Sequence, residues 1–107
     1  MSDGENLRAF VLDQLTDLGT FETKSMFGGT ALLIDGKAFA KVKNGALWLK
    51  VGDANRTDFV DQDMPQYSYG EGNVRKLNFF KTPTDVLEDA DELVVWASKS
   101  VDAALTG

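Results

Sequence analysis

The side chains able to do chemistry in this sequence are few in kind. It contains neither His nor Cys, which removes the commonest general base, the thiolate nucleophile, and the imidazole and thiolate metal ligands. Carboxylates, lysines and glycines remain. Asp61 with Asp63, and the acidic run from Glu88 to Glu92, could pair for acid and base work or hold calcium. Neither has the Asp-x-Asp-x-Asp-Gly loop and distal Glu that calcium requires, and acids also belong at helix caps and first turns. Ser68, in Gln-Tyr-Ser-Tyr-Gly, lacks the first glycine of a nucleophile elbow and a histidine to serve it. Gly70 to Arg75, Gly-Glu-Gly-Asn-Val-Arg, lacks a third glycine, and Gly28-Gly29 leads into a strand where a phosphate loop leads into a helix. No catalytic residue, metal ligand or cofactor is implied, and the expectation is a protein that is not an enzyme.

Met26, Phe27, Gly28 and Gly29 nevertheless form a distinctive stretch at the mouth of that strand. Paired glycines there permit a bulge or a close backbone approach, with Met26 and Phe27 packing. The four are carried forward as a candidate binding motif.

The elements that must position these residues follow from period and punctuation. Leu7, Phe10, Val11, Leu15 and Leu18 recur at spacings of three and four, one face of a helix with Ser2 and Glu5 as a capping box and Gly19 at its end. Asp35-Gly36 and Asn44-Gly45 are two-residue hairpin signals. They predict strands over Thr30–Ile34, Lys37–Lys43 and Ala46–Val51, with an earlier one possible over 21–27. A short helix with Phe59 and Val60, capped by Asp53, comes next, followed by strands around Tyr67 to Tyr69 and Leu77 to Phe79. Thr82, before Pro83, marks the cap of one helical turn near Asp85, and Asp89 with Glu92 that of a longer helix from Ala90 to about Leu105, on which Leu93, Trp96, Ala97, Ser100 and Ala104 follow the helical repeat. Hairpins imply an antiparallel sheet. The expected fold is a two-layer α+β domain: five to six antiparallel strands, helices on one face, in the order helix, three or four strands, helix, two strands, helix.

Two-residue turns pair Ile34 with Lys37 and Lys43 with Ala46, which sets the alternation of the meander. One face carries Ala31, Leu33, Ala38, Ala40, Val42, Leu47, Leu49 and Val51 and is expected beneath the helices. The other carries Thr30, Leu32, Ile34, Lys37, Phe39, Lys41, Lys43, Trp48 and Lys50. From Lys37 to Lys50 there are four lysines and no acid. Two readings of this face stand side by side. It is a solvated surface on which lysine stems cover aromatic rings, or it is a contact surface for a second copy, another protein, or a nucleic-acid single strand stacked on Phe39 and Trp48. The candidate contact residues are Lys37, Phe39, Lys41, Lys43, Trp48 and Lys50.

Over the whole chain, 11 Lys and Arg stand against 17 Asp and Glu, a net charge of −6. That balance disfavours nucleic acid, whose binding depends on cations set against phosphates. The 107 residues are expected to form one domain, 1–107. No apolar run approaches a membrane span, the first residues carry neither a basic segment nor an apolar stretch, and a cytoplasmic protein is expected.

In order along the chain, Ser25 to Val51 with its Met-Phe-Gly-Gly and Trp48-Leu49-Lys50, then Met-Pro-Gln-Tyr-Ser-Tyr, the pair Phe79-Phe80 before Pro83, and Trp96 on the final helix resemble the N-terminal domain of the TfoX (Sxy) family of competence regulators. The resemblance covers nearly the whole chain. It implies a compact two-layer α+β domain with no known enzymatic activity, here standalone, and no catalytic residues to carry over. In longer family members a C-terminal domain of helical, DNA-binding character follows, and the protein acts as a coactivator with the cyclic-AMP receptor protein. The function so expected is regulatory, through a protein partner or self-association. The alternative is a DNA-associated transcriptional accessory that uses the lysine face.

Overall fold

The computed structural model describes residues 3–26 and 29–106. Helix α1 (Asp3–Gln14) and a 3-10 turn at Thr16–Leu18 lead to strands β1 (Glu22–Met26), β2 (Gly29–Ile34), β3 (Lys37–Lys43) and β4 (Ala46–Lys50). Helix α2 (Arg56–Val60), strand β5 (Gln66–Tyr69), a 3-10 turn at Glu71–Asn73, strand β6 (Arg75–Lys81), and helices α3 (Thr84–Leu87) and α4 (Ala90–Thr106) complete the chain. The six strands form one antiparallel sheet in the order β1-β2-β3-β4-β6-β5. With helices packed against it, the architecture is the expected two-layer α+β fold. Among the described residues no helix is long and apolar enough to cross a membrane.

The two hairpin turns form as their dipeptides require. Asp35 and Gly36 have φ of 53° and 75°, Asn44 and Gly45 of 54° and 71°, the primed turn whose twist matches that of the strands. Ile34 faces Lys37 and Lys43 faces Ala46.

Between those fixed ends the alternation departs from expectation. Leu32 pairs with Ala40 but Leu33 pairs with Ala38, so Phe39 is the extra residue of a β-bulge. The bulge changes which side chains face the helices. Leu32, Ala40, Leu49 and Phe80 now stand in one transverse row on the core side, and Ala31, Lys41, Trp48 and Lys81 form the next row on the outer side. Leu32 and Phe39, both expected outside, are completely buried, while Ala31, Leu33 and Ala38 leave the helix-covered face. The energetics favour this exchange. A continuous ladder would gain about one net hydrogen bond, roughly 0.5–1.5 kcal/mol, but would leave a Leu and a Phe in water, each worth about 1.5–3 kcal/mol on burial.

The core gathers Val11 and Leu15 of α1, the inner row of the sheet, Phe59 of α2, Val86 of α3, and Leu93, Trp96, Ala97 and Ala104 of α4. Phe59 lies edge-on to Trp96 at 4.8 Å, and Phe21 lies edge-on to Phe39 at 5.6 Å. On α4 the buried residues are those of the predicted repeat. On α1, Phe10 is exposed and Leu12 packs in its stead. The Ser2 and Glu5 capping box lies outside the described residues.

Two expected caps also differ. Asp53 does not cap α2; Asn55 precedes it, and its buried amide accepts from Gly52 N at 2.7 Å and donates to Lys50 O at 3.0 Å. The side chain thus fastens the turn after β4 to the end of that strand. Thr82 does not cap α3 either, its hydroxyl being buried without a partner. Asp89 does accept from Glu92 N, at 3.2 Å, as expected at the start of α4.

Candidate interaction face

The outer side of the sheet brings together residues from four strands. Strand β3 carries Lys41 and Lys43, and β4 carries Trp48 and Lys50. Strand β6 sets Phe79 opposite Lys50, and β5 at the edge contributes Tyr67. Tyr67 meets the Trp48 indole edge-on at 5.1 Å and 86°. Trp48 Nε1 donates to Lys43 O at 3.0 Å, which fixes the plane of the indole.

The lysines roof the aromatic rings. Lys41 Nζ stands 4.9 Å from the Phe79 centroid and 5.4 Å from that of Tyr67. Lys50 Nζ is 5.3 Å from Phe79, and Lys43 Nζ is 6.0 Å from Tyr67. These distances are within cation–π range, and both rings are buried at 6% exposure. Among the described residues none of the three lysines pairs with a carboxylate; the ion pair is Lys99 with Asp58, elsewhere on the surface. Glu22, placed on this face by its pairing with Leu33, lies on the edge strand β1. Burial first, then the neighbouring charges of Lys43 and Lys50, holds Lys41 below its ordinary lysine pKa. The arrangement thus concentrates uncompensated positive charge on a protein that is acidic overall.

Lys37, Lys41 and Lys50 also border an open groove of about 400 Å³ lined in addition by Ala38, Leu77, Phe79 and, from α4, Ala104. A smaller cleft of about 80 Å³ lies beside Gly29, Lys41, Lys43 and Tyr67. Gly29 is itself explained by packing. A Cβ there would meet Val42 O at 2.7 Å and Lys43 Cβ at 3.1 Å, so β2 and β3 come too close for any side chain. Met26 is paired with Gly29 at the end of the β1–β2 ladder; its side chain, Phe27 and Gly28 lie outside the described residues.

With the geometry of sheet and face in hand, the chain matches the TfoX N-terminal domain over residues 13–104. The chain belongs to the TfoX N-terminal domain family. It is similar to Protein Sxy of Escherichia coli (strain K12), 30% identical over 94 residues that cover 87% of this chain and 45% of that protein. The chain therefore spans less than half the length of this relative. The family is one of competence-regulator-like proteins and is not a known enzyme family.

On this TfoX N-terminal domain, then, Lys41, Lys43, Trp48 and Lys50 share the outer face, and Gly29 lies against it. Lys37 pairs with Ile34, which the bulge turns toward the core, so it leaves that face and reaches the groove only from its border. Phe39 does not belong there, because the bulge turns it into the core. Tyr67 and Phe79 were missed as members of the face. Their strands were legible from the two-residue alternation, but nothing local to the sequence specifies that β6 inserts beside β4 and delivers Phe79 to Lys50.

Proposed function

We propose that this chain is a non-enzymatic regulatory module, working in the cytoplasm as one domain, whose outer sheet face docks a protein partner. The observation that carries the reading is the cluster of Lys41, Lys43 and Lys50 over Tyr67 and Phe79 with no carboxylate paired to it among the described residues. Like charges gathered on a sheet face oppose one another in the free protein, whereas complementary charge on a partner relieves them and gives register and specificity. Membership in a regulator family supports the same direction. Gly29, at the start of β2, lies beside Lys43, and the Met26, Phe27, Gly28 and Gly29 motif is proposed as part of the same surface.

The test compares the full-length chain with its Trp48→Ala, Lys41→Glu double variant in affinity capture from native lysate of the source cell, beside solution mass measurement. Docking through this face predicts a polypeptide, or a second copy of the chain, retained by the parent and lost from a variant that still melts cooperatively. Identical recovery from both proteins, or no recovery together with a strictly monomeric mass, overturns it.

A further inference from the structure

The chemistry of the exposed atoms narrows what this face accepts. Sequence alone offered Phe39 and Trp48 as platforms on which bases could stack. The structure removes that option, because Phe39 is buried in the core and the Tyr67 and Phe79 rings are roofed by lysine ammonium groups. Trp48 is half-buried, edge-on to Tyr67, with its N–H already committed to Lys43 O. A strand of nucleic acid binds such a surface through base stacking as well as phosphate contact, and here the first of these is largely absent. What the face presents is cationic heads beside the open groove lined by Ala38, Leu77, Phe79 and Ala104.

Spacing gives the second constraint. Lys41 and Lys43 are two residues apart on one strand, so their stems leave the same face roughly 6.6 Å apart, the repeat of alternate residues in any extended chain. Lys50 stands on the neighbouring strand, two residues beyond the Trp48 that pairs with Lys41. An extended peptide with carboxylates at alternate positions meets this pattern without distortion. Extent gives the third. Away from this face acids outnumber bases, so a long polyanion that outran the patch would meet like charge, whereas a short acidic segment is confined to the lysines.

We infer that the occupant of this face is an extended acidic polypeptide segment bearing carboxylates at alternate residues, held by Lys41, Lys43 and Lys50 beside the groove. The inference rests on the docking reading above and names the chemistry of the partner. It is tested by fluorescence anisotropy of the full chain with three labelled probes: a peptide of alternating Glu and Ser, its Gln–Ser counterpart, and oligothymidylate of similar length. Each is titrated at low and at physiological salt.

The Glu–Ser peptide is expected to bind saturably and the Gln–Ser peptide not to bind. Replacing Lys41, Lys43 and Lys50 by Gln weakens binding about tenfold, as three partly screened ion pairs would. The charge-matched variant Arg8→Gln, Lys76→Gln, Lys99→Gln binds within about twofold of the parent, since Arg8 and Lys99 are on helices α1 and α4 and Lys76 neither roofs the rings nor borders the groove. Absence of saturable peptide binding overturns the inference, as does equal weakening in the two triple variants, which reports bulk charge only. Tighter binding of oligothymidylate than of the peptide overturns it in favour of nucleic acid. If the peptide fails while the Trp48→Ala, Lys41→Glu variant still loses its captured protein, the docking reading stands and the acidic-segment inference alone falls.

Discussion

Replacing Phe39 by Ala separates the two possible registers of the β2–β3 pair more sharply than any change on the lysine face. In the bulged register Phe39 is 0% exposed and lies edge-on to Phe21 at 5.6 Å. Truncation then removes a buried aromatic ring and leaves a cavity, a change that costs about 3–5 kcal/mol, within which the ring pair itself accounts for roughly 0.5–1.5 kcal/mol. For a chain of this size, each kcal/mol lowers the melting temperature by about 4–8 °C, so a fall of roughly 12–40 °C is expected. In the continuous register the same ring would stand among the lysines on the outer face, where most substitutions stay within about 0.5 kcal/mol. Thermal unfolding followed by circular dichroism, with urea titration to confirm cooperativity, reads the difference directly. The control is Trp48→Ala, at a half-buried site on the outer face, and it should be the milder of the two. A Phe39→Ala protein that melts within a few degrees of the parent, or above Trp48→Ala, would refute the bulge and return Phe39 to the contact surface.

Other substitutions probe separate parts of the structure. Gly29→Val should destabilise by about 1–3 kcal/mol, because the added carbons collide with backbone at Val42 O and not with a movable side-chain tip; unchanged denaturant midpoint would count against that close approach. Asn55→Ala leaves Gly52 N and Lys50 O without their partner, and a loss of about 1–3 kcal/mol in urea unfolding is expected. Lys41 is held below its ordinary pKa by burial and by Lys43 and Lys50. The unfolded chain therefore binds the proton more tightly than the folded one, and folding stability gains as pH rises through the alkaline interval just below the usual lysine value of about 10.4. Lys41→Met should accordingly raise the melting temperature at neutral pH, with the gain shrinking toward the top of that interval; a gain that grows with pH would reverse the sign of this argument.

Much of the fold was written locally, and the exceptions have physical causes. The Asp-Gly and Asn-Gly turns, the four strands from 22 to 50 and the buried stripe of α4 each depend on residues within a few positions of one another, where period and turn chemistry are decisive. The bulge is different. Its signal is global, since the turns on either side are satisfied with or without it, and only the comparison of burying Leu32 and Phe39 against Ala31 and Ala38 decides the register. Phe10 failed for a related reason: the helical period admits Leu12 equally well, and the surface on which α1 packs chooses between them. Of the candidate face, the lysines and Trp48 were legible because β3 and β4 are joined by a tight turn. Tyr67 and Phe79 were not, because β4 and β6 are separated by α2 and β5 in the chain and paired only in space.

The same bulge is what gives the outer face its chemistry. By drawing Phe39 and Leu32 inward it clears the largest apolar groups from the meander's outer side and leaves Ala31 beside Lys41, so the aromatic surface there comes from Trp48, Tyr67 and Phe79 under lysine cover. A core-driven adjustment of one residue thus withdraws Leu32 and Phe39 from a face that carries Lys41, Lys43 and Lys50 in either register. Lys41 then carries a conflict that packing alone does not resolve: its burial and its two lysine neighbours oppose the charge that its aromatic contacts favour. Carboxylates brought by a partner would remove the opposition of like charges. Binding through this face should therefore raise the melting temperature of the parent protein as occupancy rises, and should do so less in Lys41→Met, where there is no charge left to relieve.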